Sequence, residues 1–220
     1  VLKSVVTFES WSSSSSVVKN SYRVGSAGTQ TAALLFAGSA TPPFSFFADT
    51  QEYNGSGWSS GGAMAQARWG LRGAGTQTAG LGFGGYIGPP GPPSKNSALT
   101  EEYDGSSWTS GGAMGTGRYA LGGAGTQTAA LGFGGYTLPG NSATNATEEY
   151  NGTSWSNQNN LGTSRRNLAG AGTQTAGLGF GGHPARADTE EYDGTSWTAG
   201  GDLNTGRKSP GGAGTQTAGL

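Results

Sequence analysis

The 220-residue chain has no cysteine, a single histidine and little charge, with Asp, Glu, Lys and Arg making up 11% of it. Without cysteine there are no disulfides, no thiol nucleophile and no Cys-ligated metal, and the redox compartment stays open. Twelve Lys and Arg against 13 Asp and Glu leave a formal net charge of -1. That balance exerts no long-range pull on phosphate backbones or anionic lipid, so neither nucleic acid nor a membrane surface is an expected partner. No apolar run approaches the ~18 residues of a spanning segment. The chain begins at Val1 without an initiator Met or a signal peptide and stops inside a repeat, the pattern expected of a processed product or a piece of something longer.

Glycine is what the chain has in excess, at 44 residues, but without the Gly-X-Y period of collagen. Six Trp, eight Tyr and eight Phe are too many for a disordered glycine-rich linker, which has too little apolar area to offset the entropy of ordering. A folded, turn-dense β protein is the remaining class, and the length suffices to bury a core.

A period organises the chain. The Gln of "GTQT" recurs at Gln30, Gln77, Gln127, Gln174 and Gln216, with spacings of 47, 50, 47 and 42. Between these copies lie "TQEYNGSGW" (50–58), "TEEYDGSSW" (100–108), "TEEYNGTSW" (147–155) and "TEEYDGTSW" (189–197). Each Trp stands 19 residues before the next such Gln, and so does Trp11 before Gln30, which exposes "VVTFESW" as a degenerate first copy. Within a unit, "LGGAG" and "TAALGFGG" read as two short apolar strands about a tight turn. "TEEY" and the segment from the Trp read as a second pair across Asn-Gly or Asp-Gly, the dipeptides of a type I′ hairpin. Four strands per unit of this length make the blade of a β-propeller.

A glycine doublet ending an apolar strand, then Tyr, Trp and Arg at fixed offsets, resembles the kelch motif. It is carried by Gly84-Gly85, Tyr103, Trp108 and Arg118, by Gly134-Gly135, Tyr150, Trp155 and Arg165, and by Gly181-Gly182, Tyr192, Trp197 and Arg207. The first unit departs, with Ala37-Gly38 for the doublet and Ser21 for the Arg. The wording "GAGTQTAALGFGG" with "TEEYDGTSW" further resembles kelch-like repeats in virion structural proteins of tailed marine phages, those of cyanobacteria especially. The resemblance spans essentially the whole chain and implies an all-β, kelch-like β-propeller of four-stranded antiparallel blades, which the count of strands and repeat copies makes five-bladed. It also implies a virion or extracellular location, other virion or fibre subunits as partners, and assembly as a homo-oligomer or within a larger particle.

The chain reads as a single propeller domain over 1–220, with blade repeats near 27–70, 73–120, 123–167 and 170–209. A closing blade is expected to be shared by 210–220 and 1–22, hiding the sheet edges that invite aggregation. Glycine and alanine of the first strand suit the crowded central channel, while Trp, Tyr and Phe suit the wedges between blades.

Antiparallel blades put the near-identical turns on one face and the diverse loops on the other, and loops on a rigid scaffold are where binding concentrates. Phe44, Phe46, Phe47, Tyr86, Tyr136 and His183 on those loops are candidate stacking surfaces for a sugar or a protein partner, or packing against the blade and neighbouring subunits. Arg68, Arg118, Arg165 and Arg207 each lie ten residues after a Trp. They are candidates for an anion or glycan-carboxylate site at the channel mouth, or for ties to loop carbonyls and to Glu102, Glu149 or Glu191.

Catalysis has little support. Kelch-type copper oxidases need Cys, Tyr and His ligands, which the chain cannot supply, and no metal or cofactor is expected. "YDGTSW" lacks the residue that sialidase aspartate boxes carry between Asp and Gly. Glu at symmetric positions singles out no glycosidase pair. Asn54, Asn145 and Asn151 open Asn-X-Ser/Thr triplets of a kind that arise readily by chance in a Ser/Thr-rich chain. The expectation is a non-enzymatic structural or appendage module of a phage virion; the alternative is a glycan- or receptor-binding module using the variable-loop face.

Overall fold

The computed structural model describes residues 14–40, 45–88 and 95–219. Phe44 and residues 1–13 lie outside this range.

Four antiparallel sheets of four strands follow one another along the chain. The first holds β1 (Gly25–Gly28), β2 (Ala33–Phe36), β3 (Thr50–Tyr53) and β4 (Trp58–Gly61). The second holds β5 (Arg72–Gly75), β6 (Gly80–Phe83), β9 (Thr100–Tyr103) and β10 (Trp108–Ser110), with a small ribbon of β7 (Tyr86–Ile87) and β8 (Lys95–Asn96) in its variable loop. The third holds β11 (Gly122–Gly125), β12 (Ala130–Phe133), β15 (Thr147–Tyr150) and β16 (Trp155–Gln158), with the ribbon β13 (Tyr136–Thr137) and β14 (Ser142–Ala143). The fourth holds β17 (Ala169–Gly172), β18 (Gly177–Phe180), β19 (Thr189–Tyr192) and β20 (Trp197–Ala199). Among the described residues no helix is long and apolar enough to cross a membrane.

The first strands β1, β5, β11 and β17 neighbour one another in turn and so line the centre. Glycine is required there by space. A Cβ on Gly73 would stand 2.2 Å from the Ser26 carbonyl oxygen, and one on Gly170 would stand 2.5 Å from that of Gly123. Further out, the core lies between blades. Leu81, Phe83, Met114, Leu121, Ala130 and Tyr150 form one buried cluster against Trp155, and Leu34, Phe36, Met64, Leu71 and Tyr103 form the preceding one against Trp108. Each fully buried Leu or Phe contributes about 1.5–3 kcal/mol.

Two expectations are corrected. The "TEEY"-to-Trp connection is not a type I′ turn. In the second blade Tyr103 pairs with Trp108 across four residues, and only Gly105 takes a positive φ, +94°. The Asp104 carboxylate closes the loop by accepting from the Ser106 and Ser107 amides at 2.8 and 2.7 Å, an arrangement that frees Asp104 from the left-handed conformation. Second, the described residues form four complete blades, where five were expected. The fifth unit is present as its beginning, where Gly214 bridges Gly219. No described segment supplies its third and fourth strands: of residues 1–22, expected to do so, 1–13 lie outside the described range and 14–22 form no strand.

Candidate functional site

The site is assembled from the segments that lead into each first strand. The residue eleven places after each repeat Trp is Tyr22, Trp69, Tyr119, Arg166 and Lys208 in turn. The residue after it is left-handed in every unit: Arg23 (φ 57°), Gly70 (65°), Ala120 (55°), Asn167 (56°) and Ser209 (54°). That conformation turns the backbone so that consecutive units join. The Gly70 amide donates to the Arg23 carbonyl (2.9 Å), Ala120 to Gly70 (2.7 Å), Asn167 to Ala120 (2.7 Å) and Ser209 to Asn167 (2.9 Å). The result is a hydrogen-bonded arc of five units around the channel mouth, on the variable-loop face.

Side chains project from this arc and from the residues after the glycine doublets, which bridge to it as Trp69 with Tyr86, Tyr119 with Tyr136 and Arg166 with His183. The rings form a continuous belt: Phe46 lies edge-on to Trp69 (6.2 Å) and Tyr86 (6.1 Å), Trp69 to Tyr119 (5.3 Å), and Tyr119 to Tyr136 (5.5 Å). Cations sit over two of its rings, with Arg23 4.4 Å from the Trp69 ring centre and Arg166 4.2 Å from that of Tyr136.

Within the mouth is a cavity of about 620 Å³ lined by Arg23, Trp69, Arg72, Tyr119, Arg166, His183 and Lys208 among others, and by no Asp or Glu. Arg72 enters it from β5. Its Nε donates to the Leu121 carbonyl (2.8 Å) and one Nη to that of Leu168 (2.7 Å), while the other Nη has no partner among the described residues. Burial without a neutralising carboxylate pulls the Arg72 guanidinium down to about 10, still charged at neutral pH. One-signed charge in a recess walled by low-dielectric rings concentrates the field on a ligand of opposite sign.

Arg68, Arg118 and Arg165 are not at this mouth. Each is fully buried and joined to a glutamate of the blade its loop enters: Arg68 to Glu101 (3.0 Å), Arg118 to Glu148 (2.9 Å) and Arg165 to Glu190 (2.6 Å). The ties use the first Glu of "TEEY" rather than Glu102, Glu149 or Glu191, because adjacent strand residues face opposite sides. The second Glu meets the next blade instead, where Tyr103 donates to Glu52, Tyr150 to Glu102 (2.6 Å) and Tyr192 to Glu149 (3.0 Å). Arg207 is exposed. Phe47 lies beneath the Lys19 ammonium, 3.7 Å from its ring centre. His183 lines the cavity, and Phe46, Tyr86 and Tyr136 stand behind it against the rings of Trp69 and Tyr119, whereas Arg23, Trp69, Arg72, Tyr119, Arg166 and Lys208 were not singled out from the sequence. Their signal was there: they occupy positions that differ from unit to unit within an otherwise repeated segment.

No protein-family model matches the chain, and no curated protein matches it. Among solved structures, that of YjhT is similar over 88% of this chain and 74% of its own, with a TM-score of 0.71 at 13% identity. At that identity the likeness shows the fold alone, and the fold is a β-propeller.

Proposed function

We propose that the chain is a non-enzymatic recognition scaffold whose channel mouth takes an acidic ligand, one carrying carboxylate, sulfate or phosphate groups on a body with an apolar face. The observation that carries this reading is the cavity itself, where four Lys and Arg, a histidine and two aromatic rings meet with no carboxylate to neutralise them. Arg72 offers a preset donor, and the belt from Phe46 to Tyr136 offers stacking faces of the kind that sugar rings use. Of the carboxylates that repeat around the ring, Glu101, Glu148 and Glu190 are held by buried Arg and Glu52, Glu102 and Glu149 by Tyr hydroxyls, so none of these is paired with another across a common bond.

The kelch-like wording of the repeats supports a setting for this scaffold, an appendage or structural part of a phage particle with an acidic surface glycan as ligand. Calorimetric titration with uronate- or sulfate-bearing oligosaccharides against neutral ones of equal length tests the reading. Acidic ligands should bind, more weakly as salt rises, and Arg72→Met should weaken them about tenfold or more. Equal binding of neutral and acidic sugars, or indifference to the Arg72 change, would overturn it.

A further inference from the structure

The three complete boundaries between blades are built alike. At each, the later blade sends its Trp Nε1 to the earlier blade's first "TEEY" residue: Trp108 to Thr50 (2.8 Å), Trp155 to Thr100 (2.9 Å) and Trp197 to Thr147 (3.0 Å). The same indoles pack on Phe36, Phe83 and Phe133, at 4.8 to 4.9 Å between ring centres. The later Tyr hydroxyl meets the earlier Glu, and the loop Arg meets the later Glu, as described above. The later "GTQT" Gln clamps two earlier carbonyls, as Gln174 does those of Ala130 (3.1 Å) and Tyr150 (2.8 Å).

At the outgoing face of the fourth blade, only the Gln clamp of this set is made among the described residues. Gln216 clamps Gly177 (3.0 Å) and Tyr192 (2.8 Å) in the usual way. Among the described residues, however, the Arg207 guanidinium and the Glu191 carboxylate have no hydrogen-bond partner and both are exposed, whereas Arg68, Arg118 and Arg165 are fully buried. Among the described residues Phe180 has no Trp against it, and the Thr189 hydroxyl turns to its own loop at Gly201 (2.7 Å).

We propose that this face is a docking surface for a β-hairpin of the chain's own repeat type, carrying Glu, then Tyr two residues on, then Trp five residues after that. The three finished boundaries specify the occupant's chemistry. Its Glu neutralises Arg207, its Tyr donates to Glu191, and its indole covers Phe180 and donates to Thr189. Charge complementarity sets the register, because the face offers a cation where the hairpin carries its first acid and an acid where it carries a hydroxyl donor. The N-terminal copy within the same chain is a poor match by sequence: aligned on Trp11, it has Ser4 and Val6 where the pattern has Glu and Tyr.

A labelled peptide of residues Gly179–Gly201, which resumes the repeat register after Leu220, provides the probe. Fluorescence anisotropy with the full chain should show saturable binding, weakened about tenfold or more by Arg207→Glu and restored when the peptide carries Glu190→Arg. Circular dichroism of the Arg207 variant should be unchanged, since that side chain is exposed. Absence of saturable binding, or binding indifferent to both charge changes, would overturn the proposal. So would binding that appears only after residues 1–13 are deleted, because the chain's own first copy would then be the occupant.

Discussion

Arg118 and Glu148 meet at 2.9 Å with side-chain exposures of 0% and 2%, and the second carboxylate oxygen accepts from the Gly115 amide at 2.6 Å. The pair fastens the segment leaving one blade to the third strand of the next. Breaking a buried pair from one side strands a charge, at a cost of about 3–5 kcal/mol. Glu148→Gln and Arg118→Ser should each lower stability by about that amount in urea unfolding. The double change should cost clearly less than the sum. The first unit already shows the neutral form, with Ser21 and Gln51 at the two positions and the Gln51 amide bonded to the Lys19 backbone instead.

The wedge tryptophans should differ by position. Trp108 lies against Phe36 and Tyr103 with its Nε1 bonded to Thr50, and Trp108→Ala should cost about 3–5 kcal/mol. Trp58 has Tyr53 beside it (5.1 Å) but no preceding-blade Phe among the described residues, so Trp58→Ala should cost less. Trp69→Ala should change stability less than Trp108→Ala while weakening ligand binding at the mouth. Equal melting temperatures for the Trp58 and Trp108 variants would contradict the boundary described for these blades.

Close backbone approach at the channel predicts that Gly170→Ala is destabilising by about 1–3 kcal/mol, since the added methyl meets the Gly123 carbonyl and cannot displace a side chain to escape it. Gly201→Ala, where a Cβ meets nothing within 4 Å, should be neutral or slightly stabilising. Thermal unfolding of the two variants side by side distinguishes space from composition.

Alkaline pH should act through the boundary tyrosines. Burial first, then the bond to Glu52, pushes the Tyr103 hydroxyl up to about 12; burial and Glu102 do the same for Tyr150. A raised folded value means the unfolded chain loses these protons first. The contribution is therefore fully present below about pH 10 and is lost as pH rises through about 12. Arg68 and Arg72 shift in the opposite sense, so the comparison with Tyr103→Phe isolates the tyrosine. The stability gap between wild type and this variant should narrow over that window, and ultraviolet titration should show a late-ionising tyrosine that the variant lacks.

Most of the architecture was legible because the units repeat. Five Gln at near-regular spacing and a fixed Trp-to-Gln interval outlined the blades, though counted as five where the described residues complete four, and the Gly-rich first strand pointed to the channel. Turn chemistry was misread at Asp104 because its carboxylate, not its backbone, organises the loop. The site was misplaced for a related reason. The repeated arginines drew attention as a ring, but Arg68, Arg118 and Arg165 meet identical partners, the buried glutamates. The mouth is built from positions where units disagree, such as Tyr119 against Arg166, and from Arg72, a single long side chain in a strand otherwise made of glycine and alanine. Periodicity exposes the scaffold and masks what departs from it.

The joints between blades have a direction but no address. The three complete joints share one layout, in which the outgoing half presents Thr, Phe and Glu and the incoming half answers with Trp, Tyr and Gln, so a unit's end in this layout fits the beginning of any other unit that carries it. In genetic terms, unequal crossover between two near-identical "GTQT" stretches removes or adds a whole unit without leaving a faulty seam. Excising Trp69 through Arg118 would set Arg68 directly before Tyr119 and hand it Glu148 as its new counter-ion. Blade number in a lineage of such chains is thus free to drift in whole steps, while a cut inside a unit leaves two halves that nothing else in the ring can match.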